Sequence, residues 1–258
     1  MKSDKINLMF NDISHILDNW KFNEHDINVR LIHGVDGRQK IQMRIDLGIL
    51  QMELDGRPDG KRPRGHDSYL DYFRSRAVIF AKTKAHAFLL SPMDCFKLQQ
   101  ESIQYYHRYL ALMKLSDYPR VSRDTRRNLR VFDFVEKYAD NDEIVWQFQQ
   151  HRPYVIMMNT RATASMELQN HNFERALELI RNAIKKIELY NEKWEERVGL
   201  ENPEIEFLQY WSDEISEQKP MSEEEKLNKE LEKAIDDENY EKAIILRDKL
   251  ATLKKSTT

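Results

Sequence analysis

Residues 222–253 read SEEEKLNKELEKAIDDENYEKAIILRDKLATL, and this stretch says most about what the chain builds. Leu227, Leu231, Ala234 and Ile235 recur at helical steps, which lays an apolar stripe along one helix. Ala243, Leu246, Leu250 and Leu253 repeat the pattern on a second helix, and Asp236-Asp237-Glu238-Asn239 between them reads as the turn. Helices joined by so short a link lie antiparallel and close their stripes on each other. Ser222 and Glu225 form a capping box that starts the first helix, while Lys254 and Lys255 suit the negative end of the second. At about 100° per residue, Ile244 and Ile245 project outside the seam, so apolar surface is left over once the hairpin closes. A unit of about thirty residues seldom buries enough surface to stand alone. The leftover face is therefore expected against the rest of the chain or against another protein.

Charge is distributed unevenly along the 258 residues. From Glu201 to Thr258 there are 9 basic and 16 acidic residues, a net of −7 against −3 for the whole chain, which leaves +4 for residues 1–200. The tail is thus a poor surface for a phosphate backbone, and contact with nucleic acid would have to come from elsewhere. Cys95 is the single cysteine, which excludes an intrachain disulfide and a cysteine zinc cluster. The sequence shows neither a signal peptide nor an apolar run long enough to span a bilayer, so the expectation is a cytoplasmic protein without membrane contact.

At the other end, Ile6, Met9, Phe10, Ile13, Leu17 and Trp20 mark an amphipathic helix. Val29–His33 and Lys40–Leu54 then flank Gly34-Val35-Asp36-Gly37, a hairpin signal. Within the second arm Ile41, Met43, Ile45 and Leu47 alternate with Gln42, Arg44, Asp46 and Gly48, which predicts one buried and one polar face. The arm runs into DGRPDGKRPRG, residues 55–65, which holds three of the seven glycines and two of the seven prolines. Its cations Arg57, Lys61, Arg62 and Arg64 suit phosphates or an acidic partner surface. A rigid solvated turn accounts for the same residues, and the loop lacks the Gly-Lys-Ser/Thr of a nucleotide loop and the spacing of a calcium loop. A short helix at 68–81 and a small strand at 87–90 follow, and from Ser91-Pro92, an N-cap and first helical position, the chain is helical almost to its end.

The helical region repeats a word. Asp117-Tyr118-Pro119-Arg120-Val121 and Asn172-Phe173-Glu174-Arg175-Ala176 share a pattern that Asn239-Tyr240-Glu241-Lys242-Ala243 carries into the tail, at spacings of 55 and 67 residues. Each is expected to be the elbow of a helical pair. The first is followed by Arg120, Arg123, Arg127 and Arg130 on one helix face, a stripe suited to nucleic acid or an acidic segment, or else paired with acids on neighbouring helices. Tyr105, Tyr106 and Tyr109 before it suit base stacking or helical core.

Two resemblances add to this reading. The run LEKAI at 231–235, NYEKA at 239–243 and LRDKL at 246–250 resembles the UVR domain, the helical hairpin of the bacterial excision-repair proteins UvrB and UvrC. That hairpin also occurs in a chaperone ATPase of the Clp class and in an activator of a protein arginine kinase. The resemblance implies association with another helical hairpin, with Tyr240, Ala243, Leu246, Arg247 and Asp248 at the matching positions. The second elbow, with Ala162, Ala164, Ala176 and Ala183, looks like a tetratricopeptide repeat, although Asn170 and His171 stand where glycine is usual and the spacings exceed 34 residues. The words RIDLGILQMELDGRPDG and RPRG also resemble the N-terminal part of bacterial proteins that carry a C-terminal UVR domain, a likeness that implies no activity.

Signs of catalysis are few. His33, His66, His86, His107 and His151 have no metal-ligand spacing, and Cys95 lacks the context of an activated thiol. The expected fold is α+β and predominantly α. Its parts are an N-terminal element with a small β-hairpin and the basic loop over residues 1–90, antiparallel helical pairs resembling tetratricopeptide repeats over 91–216, and a helical hairpin over 222–255. The expected function is that of a non-enzymatic adaptor without cofactor or metal. It docks to a UVR-type helical hairpin of a partner, or to its own copy, through Tyr240, Ala243, Ile244, Ile245, Arg247 and Asp248. The alternative is an accessory protein of nucleotide excision repair that touches DNA through Arg57, Lys61, Arg62, Arg64, Arg120, Arg123, Arg127 and Arg130.

Overall fold

A computed structural model describes residues 12–83, 87–199, 201–220 and 223–256, except for the side chains at 223–225 and 253–256. The N-terminal Ile6, Met9 and Phe10, together with His86, Ser222 and the side chains of Glu225, Leu253, Lys254 and Lys255, lie outside these limits. The chain divides into two units, Met1–Tyr210 and Trp211–Thr258.

The first unit opens with a one-turn helix α1, Ser14–Asp18, and a three-stranded antiparallel sheet: β1 Asn28–His33, β2 Gln39–Ile45 and β3 Gly48–Glu53. The Gly34–Gly37 turn forms as expected, with Gly37 at φ 74° and its N–H donating to the Gly34 carbonyl. The single arm expected over 40–54 is two strands. It reverses at Asp46-Leu47, where Ile45 pairs with Gly48, and Leu47 is fully turned out to solvent. Burial does not alternate along β2 either, because Ile41, Gln42 and Arg44 are all buried. Gln42 reconciles its polarity with burial by accepting from Arg30 Nε at 2.9 Å and donating to Gln51 at 2.9 Å.

Helices take over from Tyr69: α2 Tyr69–Thr83, α3 Pro92–Lys114, α4 Tyr118–Tyr138, α5 Asp142–Gln149, α6 Arg152–Gln169, α7 Phe173–Lys193 and α8 Pro203–Gln218, the last of which runs into the second unit. Ser91 starts α3 with a reciprocal capping box to Asp94, and Pro92 follows at the first helical turn. Residues 87–90 form no strand. They bury Phe88 and Leu90 and donate the Leu90 N–H to the Tyr138 carbonyl at 2.8 Å. The core beneath them gathers Leu70, Phe73, Leu98, Val131, Val135 and Phe148. In the helical layer α3 packs on α4, α4 on α6 and α6 on α7, with the short α5 inserted between the two pairs.

All three repeated words are elbows, and they share one backbone geometry. Ser116, His171 and Glu238 hold φ of 58°, 59° and 53° just past a helix end. The next residue, Asp117, Asn172 or Asn239, donates its N–H to the carbonyl five residues back, the Schellman closure. That same residue begins the following helix, and Asp117 and Asn239 also cap it with their side chains. The small apolar residue four places on, Val121, Ala176 or Ala243, is buried where the two helices meet.

The second unit contains the end of α8 and the helices α9, Glu223–Asp236, and α10, Tyr240–Ser256, which pack on each other. Among the described residues no helix is long and apolar enough to cross a membrane.

Candidate docking surface

The α9–α10 hairpin closes over a narrow seam. Ala234, Ala243 and Leu246 are buried, Leu227 and Leu231 pack against them, and Leu250 is buried farther along α10. Alanine at both 234 and 243 lets the two backbones approach next to the elbow. This places Ala243 within the hairpin, so it is not available to a partner as the sequence suggested. Ile235 is a second departure. Expected on the seam, it lies one residue past Ala234, about 100° further round the helix, and is 50 % exposed.

The outward face is apolar to an extent unusual for so small a unit. Tyr240, Ile244 and Ile245 are 64 %, 52 % and 57 % exposed, and with Ile235 they make four large apolar side chains on the outer surface of two short helices. Tyr240 and Ile244 are a turn apart and share a face; Arg247 and Asp248 continue it, exposed and 3.4 Å from each other. The surface is thus an apolar band ending in an ion pair. Such a band offers burial for affinity and charge for register.

The cations expected at the loop and along the arginine stripe have a different role. Asp55, two residues past β3, receives Arg120 Nε at 3.0 Å and Arg123 Nη1 at 2.5 Å, and Arg123 also donates to the Leu54 carbonyl at 2.8 Å. Hydrogen bonds from Arg120, with Arg123 beside it, hold Asp55 down at about 2. Deeper, Arg108 grips Asp124 through two bonds of 2.7 and 2.9 Å and donates to the Glu53 carbonyl at 2.9 Å. Glu101 is fully buried. It accepts from Arg127, lies 3.1 Å from Arg57 Nε without hydrogen-bond alignment, and receives the Tyr69 N–H at the start of α2 at 2.8 Å. Tyr105 stacks against both Arg127 and Arg108, with ring centroids 4.1 and 4.9 Å away, and its hydroxyl reaches the Gly56 carbonyl at 3.4 Å.

These contacts make the loop and the stripe one internal bracket that fastens the sheet to α3 and α4. The bracket spans the boundary expected between residues 90 and 91, where Ser91-Pro92 starts the helical region. Arg57, Arg120, Arg123 and Arg127 are therefore not a free basic face, which corrects the nucleic-acid reading of these four. A guanidinium already shared among carboxylates and carbonyls has few donors left for phosphate. Lys61, Arg62, Arg64 and Arg130 remain exposed, with Arg62 2.8 Å from Asp67. The acids that complete the bracket, Glu101 and Asp124, went unnoticed in the sequence, where they look like any carboxylates on polar helices.

Against known proteins, the UvrB/uvrC motif (UVR) matches residues 225–256, the two helices of the hairpin. No curated protein and no solved structure matches the chain.

Proposed function

We propose that the protein is a non-enzymatic adaptor that docks through its C-terminal hairpin to a helical hairpin, a partner's or its own copy's, in the cytoplasm of a bacterium. The observation that carries this reading is the outward apolar face of Ile235, Tyr240, Ile244 and Ile245, left open after the α9–α10 seam has closed. An elongated apolar band on a helical surface is matched best by another helix laid along it, ridge into groove. The UVR match at residues 225–256 supports the same reading, because that motif is an interaction hairpin. The helical pairs of the first unit, similar to tetratricopeptide repeats, then serve as the scaffold that presents a second surface.

Replacing Tyr240 and Ile245 together by serine removes two large exposed apolar side chains and leaves the seam intact. At about 1.5–3 kcal/mol for each fully buried apolar side chain, the association is expected to weaken by roughly a hundredfold or more. Sedimentation of the pure protein reports self-association, and capture from cell extract reports a partner. Helical content of the variant should be unchanged. Association unaffected by the double substitution would reject the proposal.

A further inference from the structure

A cleft of about 510 Å³ opens in the first unit, next to the arginine bracket, with Asn128 belonging to its lining and bonded to Arg127. It exists because α4 is flanked by α3 on one side and α6 on the other, while the short α5 closes one end. Its floor is buried: Ser102, Tyr109, Asn128, Phe132, Phe148 and Val155 are all nearly inaccessible. At the mouth stand Ile103 and Tyr106, 41 % and 36 % exposed. The rings form two groups, one with Tyr106 edge-on to Tyr109 at 5.5 Å and 6.3 Å from Tyr154, the other with Phe132 edge-on to Phe148 at 6.1 Å.

The lining contains no Asp, Glu, Lys or Arg, in a chain that is 33 % charged. Its polar groups are Gln99, Ser102, His107, Asn128, Gln147 and His151. Burial lowers both histidines from their ordinary value, and burial raises Tyr109 and Tyr154, so all four are neutral near pH 7. Neutral imidazoles, amides and a hydroxyl both donate and accept. The Ser102 hydroxyl beneath them is buried and has no hydrogen-bond partner among the described residues. A charged guest would lose its hydration here without gaining a counter-ion. A purely aliphatic guest would use none of these donors and acceptors.

We infer that this cleft is a binding site for an uncharged, planar heteroaromatic small molecule of one or two rings, held between the tyrosine and phenylalanine rings and hydrogen-bonded by the neutral polar groups that line it. The volume falls in the range of small-molecule sites. Nothing in the adaptor reading requires such a ligand, so the two stand or fall separately.

Adenine, neutral at pH 7 and carrying both donors and acceptors, is the probe, with benzoate and benzamidine as anionic and cationic rings of similar size. Titration of the full chain followed by saturation-transfer NMR should show saturable adenine binding with Kd at or below about 1 mM, and at least about tenfold weaker binding of both charged rings. Tyr106→Ala, at the half-open mouth, should weaken adenine at least about fivefold by removing a stacking face. Ile103→Asp, also at the mouth, should weaken it further by placing a carboxylate there and should raise the affinity for benzamidine. Circular dichroism identifies any variant that has not folded, and either variant alone suffices. Absence of saturable adenine binding, charged rings binding as tightly, or adenine affinity unmoved in a folded variant would overturn the assignment.

Discussion

Glu101 offers the sharpest test of the bracket. The carboxylate is fully buried between α2, α3 and the loop after β3. Replacing it by glutamine keeps the shape and an acceptor for the Tyr69 N–H but removes the charge opposite Arg127. Burial already pulls that guanidinium below its ordinary value, and its remaining contacts are Asn128 Oδ1 at 3.1 Å and the Tyr105 ring. Breaking one side of a buried pair leaves an uncompensated charge and costs about 3–5 kcal/mol, whereas Glu178→Gln, in the exposed Arg175–Glu178 pair, should cost under about 1 kcal/mol. For a unit of this size the buried change corresponds to a drop in Tm of roughly 6–20 °C. Urea unfolding followed by circular dichroism should move the midpoint with little change in slope. Arg127→Met alone should also destabilise, and the double variant should cost less than the two single effects together by at least about 1 kcal/mol. A loss below about 1 kcal/mol for Glu101→Gln, or strict additivity in the cycle, would show that the bracket is not an energetic unit.

Three further outcomes follow from the same coordinates. Asp55, held at about 2 against an ordinary 3.8, stabilises the folded state above about pH 4, and this contribution is lost as pH falls through its folded value. Because its side chain is well exposed, Asp55→Asn should cost only about 1 kcal/mol at pH 7, and parent and variant should converge near pH 2 in urea titrations. His171→Gly should raise stability by roughly 0.5–1 kcal/mol by removing a side chain from the left-handed position at the α6–α7 elbow, and His171→Ala should not, as read from the urea midpoint. Burial pushes the Cys95 thiol up to about 11. Its reaction with an aromatic disulfide reagent should therefore be at least roughly 100-fold slower in the native protein than in denaturant, and equal rates would place the residue at the surface.

The elements legible in the sequence were those whose signals are local. Ser91-Pro92 and the Gly34–Gly37 turn each contain within five residues the atoms that set their geometry, and each elbow word starts one residue past the left-handed residue that ends the preceding helix. The β2–β3 reversal was missed because Gly48 continued a plausible alternation, although Asp46-Leu47-Gly48 is itself a turn-forming sequence. The arginine stripe shows the limit most clearly. Its spacing revealed one helix face, and the alternative of acids on neighbouring helices was open. The acids that settle it lie elsewhere, Asp55 in a loop and Glu101 on another helix. Only the packing of α3 on α4 brings Glu101 and Arg127 together. The cleft was invisible for the same reason, since its wall is drawn from four helices and no periodicity links His107 to His151.

Aligning the three pairs on their elbows shows what sets the tail apart. Four residues past the elbow asparagine or aspartate, Val121, Ala176 and Ala243 are all buried in the seam of their own pair. One residue further the pairs diverge. Ser122 is buried and receives Asn159 of α6 at 3.1 Å, so a neighbouring pair covers it; Leu177 is likewise buried; the third pair carries Ile244, 52 % exposed. The same local geometry therefore produces pairs of two kinds. In the first unit the position beyond the seam is buried, and in one case its hydroxyl faces an amide of the neighbouring pair. In the hairpin the position carries a large β-branched apolar side chain in contact with solvent. A residue serving only the hairpin would be polar there, as Glu178 is one place later on α7. Isoleucine at both 244 and 245 is the composition of a covered face, which is what the proposed docking requires.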